Sequence, residues 1–194
     1  MMEVRQCTLS DLSAVLELNE AVYAALPDKT VLRLNSPEMI ASCLEKPNVT
    51  IGVWEGERLI AIGMLYVPQC LEEDYAHDVV KFLDLGALGF CGTRPLECSD
   101  WEKMDLEGLK RIGIVAGNQK LYLVRDGYRG LGLQRRIIRI VEELARQRGL
   151  NLLCVTCAPN NSYSIDNFLK EGYRYAVTME KYGGLTRNLY YKPL

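Results

Sequence analysis

The sequence has little of what several protein classes require. Its 194 residues include 23 basic and 25 acidic side chains, a formal net charge of -2, and no stripe of Arg and Lys interleaved with aromatic residues, which disfavours general nucleic-acid binding. The longest apolar run, 59–67, is too short to cross a bilayer, and the first residues turn polar before any apolar stretch develops. We therefore expect a cytoplasmic protein that does not contact membranes, with residues 1–194 in one domain.

Histidine is also scarce, and the cysteines follow no regular spacing. The cysteines that could join the single histidine, His77, in a zinc site are Cys70, Cys91 and Cys98. Their spacings match no zinc-finger pattern, so no metal is predicted. Seven cysteines make an odd number, which favours free thiols in a reducing compartment. Cys154 and Cys157 form a C-x-x-C within a buried strand, where period-two geometry points the two thiols to opposite faces.

What the sequence does have is a regular succession of strand-like and helix-like segments. Ser10 is the expected N-cap of a first helix, and Ser36 followed by Pro37 predicts the start of a second. The β-rich runs 50–54 and 58–67 flank Glu55-Gly56-Glu57, which predicts a hairpin. The later expected elements are a strand ending at 121–124, a helix from about 133 to Gly149, a strand at 151–157, a helix at 161–171 and two strands within 173–194.

The middle of the chain, 69–117, follows a different pattern. Its apolar residues recur at helical spacing in two groups, separated by a loop at 86–95. The groups are Leu71, Tyr75, Val79, Phe82 and Leu83, and then Trp101, Met104, Leu109 and Ile112. Acidic residues crowd this segment, either as the solvated face of an inert cover or as a field that attracts a cationic amine.

A glycine turn is the strongest chemical signal in the chain. Gly130 and Gly132 stand between a strand ending at Val124 and the helix that begins near Leu133. Glycine lets a backbone bend sharply and approach a ligand closely, while the first helical turn offers unpaired N–H groups and the positive end of the helix dipole. An anionic phosphate suits that arrangement. An ordinary turn is the alternative interpretation of this feature alone.

Two nucleotide-binding motifs are excluded by spacing. A Walker loop requires a lysine followed by Ser or Thr after its second glycine, whereas Leu133 and Gln134 follow Gly132. The dinucleotide fingerprint G-x-G-x-x-G requires a third glycine at the position of Arg135.

The residues around the turn resemble the signature of the GNAT acetyltransferases. The stretch from Val124 to Leu133, V-x-x-x-Y-R-G-x-G-L, is similar to the family pattern V-x-P-x-Y-R-G-x-G followed by a hydrophobic residue. In the family this loop binds the CoA pyrophosphate through main-chain N–H groups. Asp126 replaces the usual proline, and Gln134 replaces the final Gly or Ala, which the loop tolerates if the Gln134 side chain points away.

A second motif follows at the distance expected of the family. The stretch 161–173 resembles N-x-x-A-x-x-L-Y-x-K-x-G-F, with Ser164 for Ala, Asn167 for Leu, Phe168 for Tyr and Tyr for the final Phe. Asn161, Ser164 and Phe168 share one helix face, the face that the family turns toward pantetheine. The sequences of the segments 132–135, 163–170 and 180–184 also resemble those of a bacterial subgroup of GNAT proteins.

The resemblance implies an α/β (α+β) fold with a mixed central β-sheet flanked by helices on both faces. It implies acetyl-CoA, or another acyl-CoA, as co-substrate and an amine acceptor, either a small molecule or a protein amine, in a protein that could form a homodimer. The residues that it places at CoA are Leu123, Val124, Arg129, Gly130, Gly132, Leu133, Gln134, Arg135, Asn161, Ser164, Phe168 and Lys170.

The catalytic residues are not assigned by the sequence. Phe168 stands where many relatives use a tyrosine hydroxyl, and a phenyl ring cannot donate a proton. Water or another tyrosine would have to substitute, and positions that often carry a carboxylate hold Asn118 and Lys120. An active N-acyltransferase is therefore weighed against a non-catalytic acyl-CoA-binding or sensing module and against an interaction protein that keeps only the scaffold. The candidate tyrosines are Tyr122, Tyr163 and Tyr182.

Overall fold

A seven-stranded sheet runs through the computed structural model, which describes residues 1–68, 76–79 and 106–194. Its strands are β1 (Met2–Cys7), β2 (Val49–Glu55), β3 (Arg58–Tyr66), β4 (Ala116–Val124), β5 (Leu152–Cys157), β6 (Arg174–Lys181) and β7 (Leu185–Pro193). The helices of the described ranges are α1 (Leu12–Ala25), α2 (Pro37–Leu44), α3 (Ala76–Val79), α4 (Leu106–Arg111), α5 (Leu133–Gln147) and α6 (Ser162–Lys170).

The strands lie in the order β1-β2-β3-β4-β5-β7-β6. Most neighbours pair antiparallel, while β4 and β5 pair parallel, so the sheet is mixed as predicted. The β4–β5 pairing covers Ala116 to Gln119 on β4 and ends there, although β4 continues to Val124. Leu121 has a φ of +49° just beyond the last pair. The two central strands therefore separate halfway along β4.

Helices cover both faces of the sheet, which confirms the expected architecture. On one face, α5 buries Leu133, Ile137, Ile138, Val141 and Ala145 against inward-pointing residues of β2, β3 and β5. On the other face, α1 and α2 pack against β2, β3 and β4. Cys157 belongs to the α5 side and Cys154 to a separate cluster on the opposite side, so the two thiols face apart as period two requires.

A 3₁₀ turn precedes the first helix, and a serine caps the second. Ser10 was expected to cap the first helix, but it lies inside a 3₁₀ turn, Leu9–Asp11, that precedes α1. Asp11 occupies the N-cap position of α1, but its side chain makes no bond to that helix. Its carboxylate instead accepts from the Thr8 N–H at 2.9 Å, which closes the capping box of the 3₁₀ turn, and is paired with Arg5. At the second helix, the Ser36 hydroxyl accepts from the Met39 N–H at 3.3 Å, which confirms the predicted cap.

The predicted hairpin and the C-terminal strand pair are both confirmed. β2 and β3 pair antiparallel around a turn at Gly56, whose φ is +61°. β6 and β7 pair antiparallel around Tyr182-Gly183-Gly184. Within the segment 69–117, Val79 of α3 and Leu109 of α4 are buried, and β4 already begins at Ala116. The other predicted apolar positions Leu71, Tyr75, Phe82, Leu83, Trp101 and Met104, and the loop at 86–95, lie outside the described residues.

None of the helices in the part of the chain that the structure describes is both long and apolar enough to span a bilayer.

Candidate active site

The glycine turn connects the end of β4 to the start of α5 through three left-handed glycines. Gly127, Gly130 and Gly132 have φ values of +83°, +82° and +72°, a region that side-chain-bearing residues rarely adopt. A Cβ built on any of the three would meet no heavy atom within 4 Å, so the space above the turn is open. The turn therefore combines a backbone that only glycine accommodates readily with room for a ligand close to the main chain.

The N-terminus of α5 presents unpaired donors to that open space. The first helical bond at this end runs from the Arg136 N–H to the Gly132 carbonyl at 3.0 Å. The N–H groups of Leu133, Gln134 and Arg135 precede it and have no partner within the helix. Together with the positive end of the helix dipole, these donors can hold an anionic group.

A buried arginine fixes the turn to the sheet. Arg125, the first residue after β4, donates to the Leu59 carbonyl at 3.2 and 3.3 Å and to Glu17 of α1 at 3.0 Å. The guanidinium lowers the pKa of the Glu17 carboxyl, so the pair stays charged. The Tyr128 hydroxyl, further along the turn, donates to Glu55 of β2. The partners of Arg125 are far away in the chain, so no local sequence signal indicates these contacts.

The free edge of β4 begins where β5 diverges. The Arg125 N–H donates to the Ile60 carbonyl at 2.8 Å, and Val124 lies opposite Ala61 in the antiparallel pair with β3. Because main-chain groups alternate along a strand, the N–H and C=O of Val124 point away from β3, toward the gap. Leu123 lies opposite Ile62 and two residues before Arg125, so its N–H and C=O point to β3, as those of Arg125 do. Val124 therefore turns its main-chain groups to the gap, whereas Leu123 turns its own to β3 and has its side chain buried in the core beneath α1. Ligand binding by either residue stays a prediction.

A cavity of about 170 Å³ extends through the gap between β4 and β5. Its walls come from the central strands, from α6, from the connection between α1 and α2, and from the C-terminal hairpin. On the strands it is lined by Gln119, Lys120, Leu121 and Tyr122 of β4 and by Val155, Thr156 and Cys157 of β5. A cleft that crosses the sheet can hold an extended ligand with its reactive end against the β4 edge.

The three residues predicted to share one face of α6 all line this cavity. Asn161 caps the helix, accepting from the Ser164 N–H at 3.2 Å. Phe168 is only 1 % exposed and meets Tyr122 and Tyr173 edge-to-face, with centroid distances of 5.3 and 5.0 Å. These contacts hold the phenyl ring as a fixed apolar wall.

Three departures from the family pattern are joined by hydrogen bonds. The Gln134 amide donates to the Ser164 hydroxyl at 2.9 Å and accepts from the Asn167 amide at 3.0 Å. Gln134 on α5 and Asn167 on α6 are therefore complementary substitutions that tie the two helices together. The side chain of Gln134 is turned to α6, and its main-chain N–H is left for a ligand.

The remaining residues predicted to bind the cofactor are charged side chains near the glycine turn and at the end of α6. Arg135 pairs with Glu171 at 2.5 Å, as does Arg139 at 2.9 Å, and these cations lower the pKa of Glu171. Arg129 is half-exposed, 3.9 Å from Asp126. Lys170 is exposed at the end of α6. The structure thus occupies the Arg135 side chain with an ion pair and leaves Arg129 and Lys170 in solvent.

Hydroxyl groups approach the cavity although Phe168 carries none. The Tyr122 hydroxyl donates to Gln119, whose amide in turn donates to the Tyr173 hydroxyl. Burial raises the pKa of both Tyr122 and Tyr173, so both phenols are protonated at neutral pH. At the rim, the Tyr182 hydroxyl lies 3.0 Å from the Thr156 hydroxyl. Tyr163, another candidate from the sequence, is exposed and does not line the cavity.

The charged lining residues within the described ranges are Arg33, Lys120 and Arg187. Carboxylates are not among the described lining residues. Burial raises the pKa of the Cys157 thiol to about 11, so this cysteine stays protonated and is not a thiolate nucleophile.

No group of three or more metal-ligating side chains occurs in the described part of the chain. Of the residues considered for zinc, Cys70, Cys91 and Cys98 lie outside the described residues.

Comparison with known proteins gives matches at the level of three-dimensional structure. No protein-family model matches the sequence, and no curated protein matches it. An acetyltransferase of the GNAT family from Streptococcus pneumoniae superposes with a TM-score of 0.67 at 14% identity, over 100% of this chain and 99% of that chain. The ribosomal-protein-S18-alanine N-acetyltransferase from Escherichia coli gives 0.65 at 13% identity, over 100% and 94%.

A third structure, from Salmonella typhimurium, is described as an acetyltransferase with its cofactor acetyl-CoA. It superposes with a TM-score of 0.60 at 15% identity, over 100% of this chain and 94% of that chain. The similarities extend over the whole chain and agree with the mixed sheet that splits between β4 and β5. The chain has the fold of the GNAT N-acetyltransferases.

Proposed function

We propose that this chain is an acyl-CoA-dependent N-acyltransferase, with acetyl-CoA as the first acyl donor to test. The observation that carries the proposal is the free edge of β4, which ends in a glycine turn at the N-terminus of α5. Solved structures of the same fold include acetyltransferases, one of them with acetyl-CoA. Acyl transfer to a primary amine by direct attack in a ternary complex is the reaction that this arrangement suits.

The main chain would hold most of the acyl donor. The N–H groups of Leu133, Gln134 and Arg135 would bind the pyrophosphate, because they have no partner within the helix and follow directly on the glycine turn with its open space. The outward-turned groups of Val124 would pair with the amides of the pantetheine arm. Asn161, Ser164 and Phe168 would form the opposite wall. Recognition by main-chain groups explains why Gln134 is compatible with the turn.

The chemistry requires a neutral amine and a proton for the departing thiolate. The amine nitrogen bonds to the acyl carbon and loses a proton as the carbon–sulfur bond breaks, and the sulfur takes up a proton, so the products are the amide and the free CoA thiol. Tyr122 and Tyr182 are the tyrosines among the described lining residues, and the hydroxyl of either could donate the proton to the sulfur. The acceptor class includes small-molecule amines and protein amines, and the Escherichia coli structure of this fold is named for a protein alanine acceptor.

A second candidate function is a non-catalytic acyl-CoA-binding module. Phe168 favours it, because the buried phenyl ring stands where relatives use a hydroxyl. The lining residues that the structure describes also provide no carboxylate to deprotonate an amine. The binding module would have the same acyl-CoA site as the transferase and would differ from it only in transferring no acyl group.

Release of the CoA thiol separates the two functions. The protein is incubated with acetyl-CoA and a panel of amines, comprising amino acids, polyamines, aminoglycosides and peptides with free N-termini or lysines, and thiol is measured with time. The transferase predicts amine-dependent release with an equal amount of N-acetyl product by mass spectrometry. Saturable acetyl-CoA binding without release for any amine would favour the binding module, and absence of binding would contradict both.

A further inference from the structure

One end of the cavity carries a buried cation that has no carboxylate partner among the residues that the structure describes. Arg187 of β7 lines the cavity and is only 4 % exposed. Its guanidinium donates to the Thr186 carbonyl at 2.8 Å and to the Thr30 carbonyl at 2.9 Å, which are neutral acceptors. Among the described residues it forms no ion pair. Burying a charge in this way is costly unless an opposite charge compensates it.

Two neighbouring side chains complete this end of the cavity. Tyr182 places its ring 5.9 Å from the Arg187 guanidinium carbon and 5.4 Å from that of Arg33, and all three residues line the cavity. Tyr182 adopts a φ of +56°, which is unusual for a residue with a side chain. Arg33 is exposed and has no acidic partner within the described residues. The two guanidinium groups thus flank one aromatic ring at the cavity wall.

This cationic end is distinct from the glycine turn. The cavity wall at Arg187 is formed by β5, the β6–β7 hairpin and the connection between α1 and α2, and residues 125–135 do not line it. An anion bound by Arg187 is therefore different from a pyrophosphate bound at the N-terminus of α5. If the acyl donor enters from the turn and lies along β4, the Arg187 end is left for the acceptor.

We propose that Arg187 and Arg33 form an anion subsite that recognises a carboxylate or phosphate group on the acceptor amine. The inference rests on the proposed function, since it names the substrate class of the same site. An α-amino acid or an amino sugar phosphate has both required features, a nucleophilic nitrogen and an oxyanion. Arginine binds either oxyanion through paired N–H donors, which an amine without an anionic group cannot engage.

The test uses matched products, so that binding is measured without turnover. Calorimetric titrations compare N-acetyl-L-leucine with N-acetyl-3-methylbutylamine, and N-acetyl-L-phenylalanine with N-acetylphenethylamine, which differ by the carboxylate. N-acetylglucosamine 6-phosphate against N-acetylglucosamine forms the phosphate arm. Each titration is run on the full chain with and without CoA, and acetyl-CoA binding is measured separately.

The proposal predicts that the anionic member of at least one pair binds about tenfold or more tightly than its neutral partner. Arg187→Gln should remove that preference, Arg187→Lys should keep part of it, and Arg33→Gln, at an exposed position, should weaken it without affecting folding. Arg174→Gln removes the same charge from an exposed position on β6 and should leave the preference intact.

Equal binding within every pair, no binding of any product, or a preference that survives both Arg187→Gln and Arg33→Gln would overturn the subsite. Anion-dependent binding by a protein that does not bind acetyl-CoA would instead support the subsite and contradict the proposed function. The carboxylate and phosphate arms tell the two oxyanion sources apart.

Discussion

Replacing Gly132 by glutamate tests whether the glycine turn holds the acyl donor. The residue has a φ of +72°, and the space at its Cβ is empty to 4 Å, so the Cβ of the new side chain meets no atom in the free protein. The left-handed conformation costs a side-chain-bearing residue roughly 1–2 kcal/mol. A bound pyrophosphate would meet both the added bulk and the added negative charge. We therefore expect Gly132→Glu to fold and to lose acetyl-CoA binding.

The size of the effect follows from linkage. A ligand at a hundred times its dissociation constant stabilises the native state by about 2.7 kcal/mol. In a chain of this size 1 kcal/mol corresponds to roughly 2–4 °C in Tm, so acetyl-CoA should raise the Tm of the native sequence by about 5–11 °C. The same concentration should shift the Tm of Gly132→Glu by less than about 2 °C if its affinity falls a hundredfold or more.

A matched control lies at the other end of the same helix. Gly149 has a φ of +74° and the same empty space at its Cβ, so Gly149→Glu carries a comparable conformational cost. Its Tm without ligand should fall, whereas its acetyl-CoA shift should equal that of the native sequence. Differential scanning fluorimetry over an acetyl-CoA titration measures both quantities. A folded Gly132→Glu protein with an undiminished shift would refute the placement of the donor at this turn.

Three further substitutions test the site and the fold. Phe168→Tyr should raise kcat by up to about a hundredfold with little change in acetyl-CoA affinity; an unchanged kcat in steady-state assays would mean that another group already supplies the proton. Gln134→Ala and Asn167→Ala should each lower the free energy of unfolding in urea by about 1–2 kcal/mol, and the double variant should lose less than the sum, because the two amides share one contact; strict additivity would argue against the Gln134 bridge. Arg5 lowers the pKa of Asp11 from 3.8 to about 2, so the carboxylate stabilises the fold above about pH 4 and this contribution is lost as the pH falls toward 2. Asp11→Asn should therefore be less stable by about 1 kcal/mol at pH 7 and converge with the native sequence near pH 2, whereas a constant difference across this range would contradict the assignment.

Features that depend on neighbours in sequence could be predicted without the structure. The hairpin around Gly56, the cap at Ser36 and the glycine turn follow from local backbone preferences, which residue types record directly. The shared face of Asn161, Ser164 and Phe168 follows from helix periodicity. These local signals were sufficient to indicate the order of elements and the general position of the candidate site.

Features that depend on distant pairing could not be predicted in the same way. Leu123 and Val124 differ in whether their main-chain groups pair with β3 or face the gap. That difference depends on the register between β3 and β4, which the sequence of one strand does not reveal. The amide contact between Gln134 and Asn167 joins positions 33 residues apart. Arg187 has an ordinary sequence context, and its burial becomes visible when β7 is placed beside β5. The cap at Ser10 was wrong because a 3₁₀ turn, Leu9–Asp11, comes before α1 and places Ser10 inside the turn.

The most direct test of the account is an experimental structure of this protein with acetyl-CoA. We expect the pyrophosphate against the N–H groups at the start of α5, the pantetheine arm along the free edge of β4 beside Val124, and the thioester in the cavity next to Phe168. Acetyl-CoA bound elsewhere on the chain, or a pantetheine arm that does not enter the gap between β4 and β5, would contradict it.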